Sequence, residues 1–173
     1  IVGVYWSLDV EPIDVQHEIT TAAQADNVSP VIGYATTTVL IKVASSILDK
    51  PGGYISNDAL PPGVLLDNMP SWEFGVLEMV RDMALVIRKD FSRSQSQSLD
   101  NIHITKAQPK FNIDNKSWAM PSAESEYRKA IESLYSYRDA LVGISKTKND
   151  TAQFYARADN LTAYFDEVQK RLG

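Results

Sequence analysis

From Asp67 to Ser98 the apolar residues Trp72, Val76, Val80, Met83, Ile87 and Phe91 are separated by alternating steps of three and four. That spacing lays them along one face of a helix and predicts a helix over about 70–92. Asn68 suits the cap position, and Pro70 suits the first turn, where a missing N–H costs nothing. Glu73 brings negative charge to the positive end of the helix dipole; Arg88 and Lys89 bring positive charge to the other end. A polar run, Ser92 to Ser98, stops the pattern.

Three further stretches carry the same period. Thr36, Leu40, Val43, Ala44, Ile47 and Leu48 predict a helix over about 33–49, ended by Pro51-Gly52-Gly53. Its run Thr36 to Thr38 is a poor helix former, so packing has to outweigh propensity there. Ser122 caps a helix over about 122–144 with Tyr127, Ile131, Leu134, Tyr135, Leu141 and Ile144 on its apolar face. A short polar link then turns the chain back, and from Thr151 the residues Phe154, Ala158, Leu161, Phe165, Val168 and Leu172 keep a heptad-like spacing to the end. Asp166 with Lys170 and Glu167 with Arg171 are acid-before-base pairs four apart on that last helix, over about 151–172. Residues 7–30 are acidic and weakly patterned, with a short helix expected to end near Asn27.

Two connections join these elements. Residues 51–70 are rich in Pro and Gly turns, yet Ile55, Leu60, Val64 and Leu65 make them too apolar for a solvated tether, so they should pack over the helices. Residues 92–120 begin with the Ser/Gln-rich run and end in Phe111–Trp118, whose alternation predicts an extended piece. The expected fold is therefore all-α, a bundle of about four main helices with two long ordered or partly ordered connections.

Composition narrows the function. A chain of 173 residues with 44% apolar and 23% charged residues fits one domain with its own core. Net charge is −5 and no basic stripe is present, so no nucleic-acid partner is expected. The absence of cysteine excludes disulfides, thiolate nucleophiles and Cys-ligated metals. No apolar run reaches the ~18–20 residues of a membrane span. The opening residues Ile1 to Trp6 suit either the exit of such a span, where Trp and Tyr are favoured, or a segment packed on the core.

Candidate chemistry is sparse. His17 and His103 are the only histidines and lack ligand spacing, so no metal site is expected. No nucleophile elbow, phosphate loop or dinucleotide fingerprint is present, so no catalytic residue and no cofactor is assigned. Asp58, Asp67 and Glu73 lie near Tyr54 and Trp72, a combination that suits a sugar-binding or glycoside-cleaving cleft. The commoner role for such residues is structural, with Asp67 and Glu73 starting a helix and Trp72 anchoring the core. Arg93, among serines and glutamines, has the donor fork to grip an anion. Candidate ligand-binding residues are thus Tyr54, Asp67, Trp72, Glu73 and Arg93. Asn27, Asn115, Asn149 and Asn160 match the glycosylation pattern, but three-residue matches arise often by chance.

Several blocks together resemble a known family. Leu48-Asp-Lys-Pro-Gly-Gly-Tyr54, Leu60-Pro-Pro-Gly-Val64, Asp67-Asn-Met-Pro-Ser-Trp-Glu-Phe-Gly75, Asp90-Phe-Ser-Arg-Ser-Gln-Ser-Gln97, Ser125-Glu-Tyr-Arg-Lys129 and Ala152-Gln-Phe-Tyr-Ala-Arg-Ala-Asp-Asn-Leu161 are similar to the bacterial family known as domain of unknown function 2333. The resemblance covers nearly the whole chain. It implies a single-span inner-membrane protein of Gram-negative bacteria, with a basic N-terminus and a span just before Tyr5-Trp6-Ser7. On that expectation residues 1–30 follow the span, residues 31–173 form a helical domain that continues past Gly173, and the domain lies in the periplasm. The family brings no activity, substrate or catalytic residue. The expected role is a non-catalytic, membrane-anchored interaction or scaffold module with a protein partner in the cell envelope. The alternative is an envelope enzyme or glycan binder built on Tyr54, Asp67, Glu73 and Trp72. The last helix also offers a face for self-association.

Overall fold

The structure, a computed structural model, describes residues 2–93, 100–147 and 150–172. The run Ser94 to Ser98, Asn149 and the side chains of Glu167, Arg171 and Leu172 lie outside the described residues. The fold is all-α, as expected, and no strand occurs among the described residues. Its helices are α1 (Val2–Trp6), α2 (Val15–Asp26), α3 (Tyr34–Asp49), α4 (Asn68–Val86), α5 (Ile102–Phe111), α6 (Ala123–Val142) and α7 (Ala158–Leu172).

Four helices close a ring: α3 packs on α4, α4 on α5, α5 on α6, and α6 back on α3, while α2 lies outside against α3. The core between them is made by residues such as Ile47, Leu77, Ile104, Phe111, Tyr127 and Leu134, each almost without solvent exposure. Burying a side chain of that size stabilises by roughly 1.5–3 kcal/mol, which offsets the entropy of ordering it. The threonine run of α3 is held by this packing, with Thr37 and Thr38 buried and Thr37 Oγ1 donating to Gly33 O at 2.8 Å.

Four sequence expectations change. The fourth wall of the bundle is α5, inside the stretch expected to be a connection, and not the last helix. Asn101 caps it by accepting from His103 N (2.9 Å) and Ile104 N (3.4 Å), and Ile104, Ala107, Gln108 and Phe111 form its buried face. The expected extended piece at Phe111–Trp118 instead ends this helix and continues in turns. The last helix starts at Ala158, because residues 151–157 are held out of the helix by tertiary bonds. Ala152 N donates to Ala140 O (3.2 Å), Tyr155 N to Phe91 O (2.7 Å) and Tyr137 Oη to Gln153 O (2.8 Å). Phe154 stacks on Phe91 at 4.8 Å and presses on Gly33, where φ of 90° and the lack of a Cβ make room for it.

The fourth change concerns α4. It begins at Asn68, two residues earlier than expected, with Asp67 and not Asn68 at the cap and no side-chain cap bond. Its buried residues are Met69, Glu73, Leu77, Val80 and Ala84, so the covered stripe is rotated toward Glu73 and away from Trp72, Val76 and Met83, which are half-buried. Beyond Val86 the helix widens into a π-turn, Ile87–Phe91, with Ser92 N donating to Ile87 O at 2.8 Å.

Candidate functional site

The polar centre of the molecule lies where α3 ends and α4 begins. Lys50 leaves α3 in an extended conformation, and its ammonium group turns inward onto Glu73 Oε1 at 2.5 Å, with both side chains fully shielded from solvent. Lys50 Nζ also donates to Gly53 O. Glu73 in turn accepts from Ile55 N (2.9 Å), Ser56 N (2.8 Å) and Ser56 Oγ (2.5 Å). A buried charge survives only when paired and hydrogen-bonded, and here both conditions hold. The pair thereby folds residues 50–56 over the start of α4.

The neighbouring residues extend this clasp to the far connection. Tyr54 Oη donates to Asn115 O (2.8 Å), and Asn57 Nδ2 donates to Ser117 O and Glu124 Oε2 (2.9 Å each). Tyr54 also meets the Tyr127 ring edge-on at 5.6 Å. Burial, together with Tyr127 beside it, pushes the Tyr54 phenol well above its usual range. Asp58 is raised by desolvation and by Glu124 and Glu73, with Lys50 pulling the other way.

The five candidate residues therefore fall into different surroundings. Glu73 and Tyr54 are buried in the clasp, with their polar atoms committed to protein partners. Trp72 is half-buried on α4, and Asp67 is exposed at its cap. Arg93 lies past the other end of α4, where its Nε meets Asp100 Oδ1 at 3.2 Å while Arg88 Nε takes Asp100 Oδ2 at 3.1 Å.

Two other polar ties lie elsewhere in the bundle. Arg138 on α6 is buried; its Nη2 reaches Asp26 Oδ2 at 2.8 Å, and its guanidinium sits over the rings of Tyr34 (5.3 Å) and Tyr135 (5.0 Å). Tyr34 Oη donates to the same Asp26 oxygen at 2.7 Å, and burial followed by that bond pushes the phenol up to about 12. His103 Nε2 lies 2.8 Å from Asp150 Oδ2, which also accepts from Ser145 Oγ at 2.5 Å. Ser145 and His103 both bond the carboxylate and not each other, so this is not a nucleophile–base pair. Among the described residues no group of three or more His, Asp and Glu side chains is placed to hold a metal.

One of the open recesses among the described residues is apolar. A groove of about 430 Å³ runs between α2, α3 and α4, lined by Val15, Ile19, Val39, Val43 and Met83, with Tyr164 of α7 at its edge. Its walls are mostly aliphatic and its methionines, Met79 and Met83, are adaptable, which suits an apolar side chain or helix face more than a polar substrate.

The sequence profile of DUF2333, described as an uncharacterized protein conserved in bacteria, matches residues 1–173. The chain belongs to the DUF2333 family. No curated protein and no solved structure matches it. In this DUF2333 chain the residues that shape the polar centre beyond Glu73 and Tyr54, namely Lys50, Ser56, Asn57 and Glu124, carry no periodic signal. Lys50 precedes Pro51 and reads as the end of a helix, which it is; nothing local tells that its ammonium turns inward. The groove had a faint signal, since Thr36, Val43 and Met83 fall on expected buried stripes but are only half-buried.

Proposed function

We propose that this DUF2333 chain is a non-catalytic interaction module, anchored at the bacterial inner membrane with its domain in the periplasm, that holds an apolar segment of an envelope protein. The observation that carries this reading is the groove between α2, α3 and α4, a preformed aliphatic recess that the molecule leaves open. The buried ionisable groups support it, because Lys50, Glu73, Asp26 and Arg138 are spent on internal ties. An amphipathic helix laid in such a recess would bury side chains at helical spacing against Val39, Val43 and Met83.

The test is site-specific photocrosslinking in native membranes from Val39 and Met83, with Lys106, exposed on α5, as the outward control. A discrete adduct from the groove positions that is absent from Lys106 is the expected result. Equal adduct patterns from all three positions would remove the reading. So would a purified chain that turns over an envelope glycan and loses that activity on Glu73→Gln.

A further inference from the structure

Outside the groove, the four most exposed large apolar side chains among the described residues are Met120 (101%) and Leu60, Leu65 and Trp118 (75% each). They are far apart in sequence, yet contacts bring their loops to the same end of the bundle. Asn57 and Tyr54 bind the first loop to Ser117 and Asn115 of the second. Helix α1 joins them: the Trp6 ring lies against Gly52, close enough that a Cβ there would meet it at 2.7 Å, and Gly3 faces Pro62. Tyr5 of α1 is exposed as well. This is the end where α3 finishes and α4 and α6 begin.

We propose that this end is a bilayer-facing surface that inserts Leu60, Leu65, Trp118 and Met120 at the boundary between headgroups and acyl chains. Three observations favour lipid over a protein partner. Leu60 and Leu65 stand on an exposed turn, Trp118 and Met120 border only a wide-open recess beside Ser125 and Lys129, and a fluid bilayer needs no matching shape. The turns are internally bonded, Ser117 Oγ to Pro121 O (2.8 Å), Ala123 N to Ser117 O (2.9 Å) and Leu66 N to Gly63 O (3.0 Å), so several polar groups are satisfied before they leave water. The residue types are interfacial, with Trp and Tyr beside aliphatic tips, and Lys116, exposed two residues before Trp118, is long enough to reach lipid phosphates, while Lys129 is paired with Glu126 at 2.6 Å. The inference goes beyond the groove reading and does not need it.

The absence of cysteine allows single-site labelling. Met120→Cys, Leu65→Cys and, at the opposite end on α2, Gln24→Cys would each carry an environment-sensitive fluorophore. The labelled chain would be held by an N-terminal polyhistidine tag on vesicles of phosphatidylethanolamine and phosphatidylglycerol doped with nickel-chelating lipid. The expected result is blue-shifted emission, quenched by doxyl-labelled acyl chains, at positions 120 and 65 but not at 24. Without the tag, Trp118→Ser should weaken vesicle partitioning by roughly ten-fold, with unchanged helical circular dichroism. Unshifted emission at 120 and 65 on tethered vesicles would overturn the proposal, as would equal shifts at all three positions. Protein adducts from Trp118 in cells alongside unshifted emission would reassign this end to a protein partner. Loss of groove crosslinks would leave these readouts unaffected.

Discussion

Helices α5 and α7 make opposite use of their sequences. Helix α5 has ten residues, carries Pro109 inside it, and lies in a stretch with little helical signal, yet it forms one wall of the core. Helix α7 has fifteen residues and a sustained heptad-like stripe, yet Leu161 and Phe165 are 45% and 58% exposed, and among its described side chains only Tyr164 reaches the groove. The difference teaches that period reports an amphipathic face, while coverage depends on which elements the connections bring alongside. Residues 151–157 decide the case. Bonded to Phe91, Ala140 and Tyr137, they pack Phe154 against the core and leave the rest of the stripe beyond it.

The comparison is broken most severely at Phe111, the last residue of α5, 1% exposed and stacked near Tyr127. Phe111→Ala should lower stability by roughly 3–5 kcal/mol, on the order of 10 °C in Tm, through lost burial and the cavity left behind. Thermal melts by circular dichroism measure it. A loss under about 1 kcal/mol would mean that α5 is peripheral.

Glu73 is the polar counterpart of the exposed Phe165: its residue type suggests solvent, and the structure buries it. Glu73→Ala should cost about 3 kcal/mol, because Lys50 is left buried without its partner and two backbone N–H groups lose their acceptor. Lys50→Met combined with Glu73→Leu should recover part of that loss by removing both charges together. A single variant as stable as wild type in chemical denaturation would contradict the clasp.

What the sequence made legible follows from locality. The helices α3, α4 and α6 were readable because each carries its own stripe and stop signal, such as Ser122 accepting from Ser125 N and Gly143 at a φ of 74°. Helix α5 was hidden by its length and by Pro109, although Asn101 followed by Ile104, Ala107 and Phe111 is a faint version of the same signal. The start of α7 was unreadable, since Phe154 fits a helical stripe equally well before its stacking on Phe91 is known. Of the candidate site residues, sequence proximity linked Tyr54 and Glu73, which the fold does bring together. The partner that neutralises Glu73 lies 23 positions away by difference of residue numbers (73 − 50 = 23) and shows no pattern.

A smaller effect tests how α5 is pinned to the segment that precedes residues 151–157. Asp150 is held below the usual carboxylate range, first by the Ser145 hydroxyl and then by His103 of α5. A depressed folded-state value stabilises the fold above the ordinary carboxylate pKa of about 4, and that contribution disappears as pH falls through the folded-state value. Asp150→Asn should therefore cost about 1 kcal/mol at neutral pH and flatten the acid side of the stability profile. Urea midpoints compared between pH 6 and about pH 3 give the slope; an unchanged acid limb would remove the carboxylate from the account.

The smallest effect belongs to α7 itself. Leu161 and Phe165 are already about half in water in the fold, so replacing both with serine changes folded and unfolded exposure almost alike, and the burial contribution largely cancels. The double variant should stay within roughly 0.5 kcal/mol of wild type at micromolar concentration. Protein concentration then sharpens the comparison with α5. If a second copy covers this face, wild-type Tm rises with concentration and the double variant loses that rise, since association stabilises only the folded state. If α7 instead packs on its own bundle, the variant loses stability by the same amount at every concentration. The exposure of Phe165 favours neither a buried contact within the chain nor a core role like that of α5, so a large, concentration-independent loss is the outcome that would erase the distinction between the two helices.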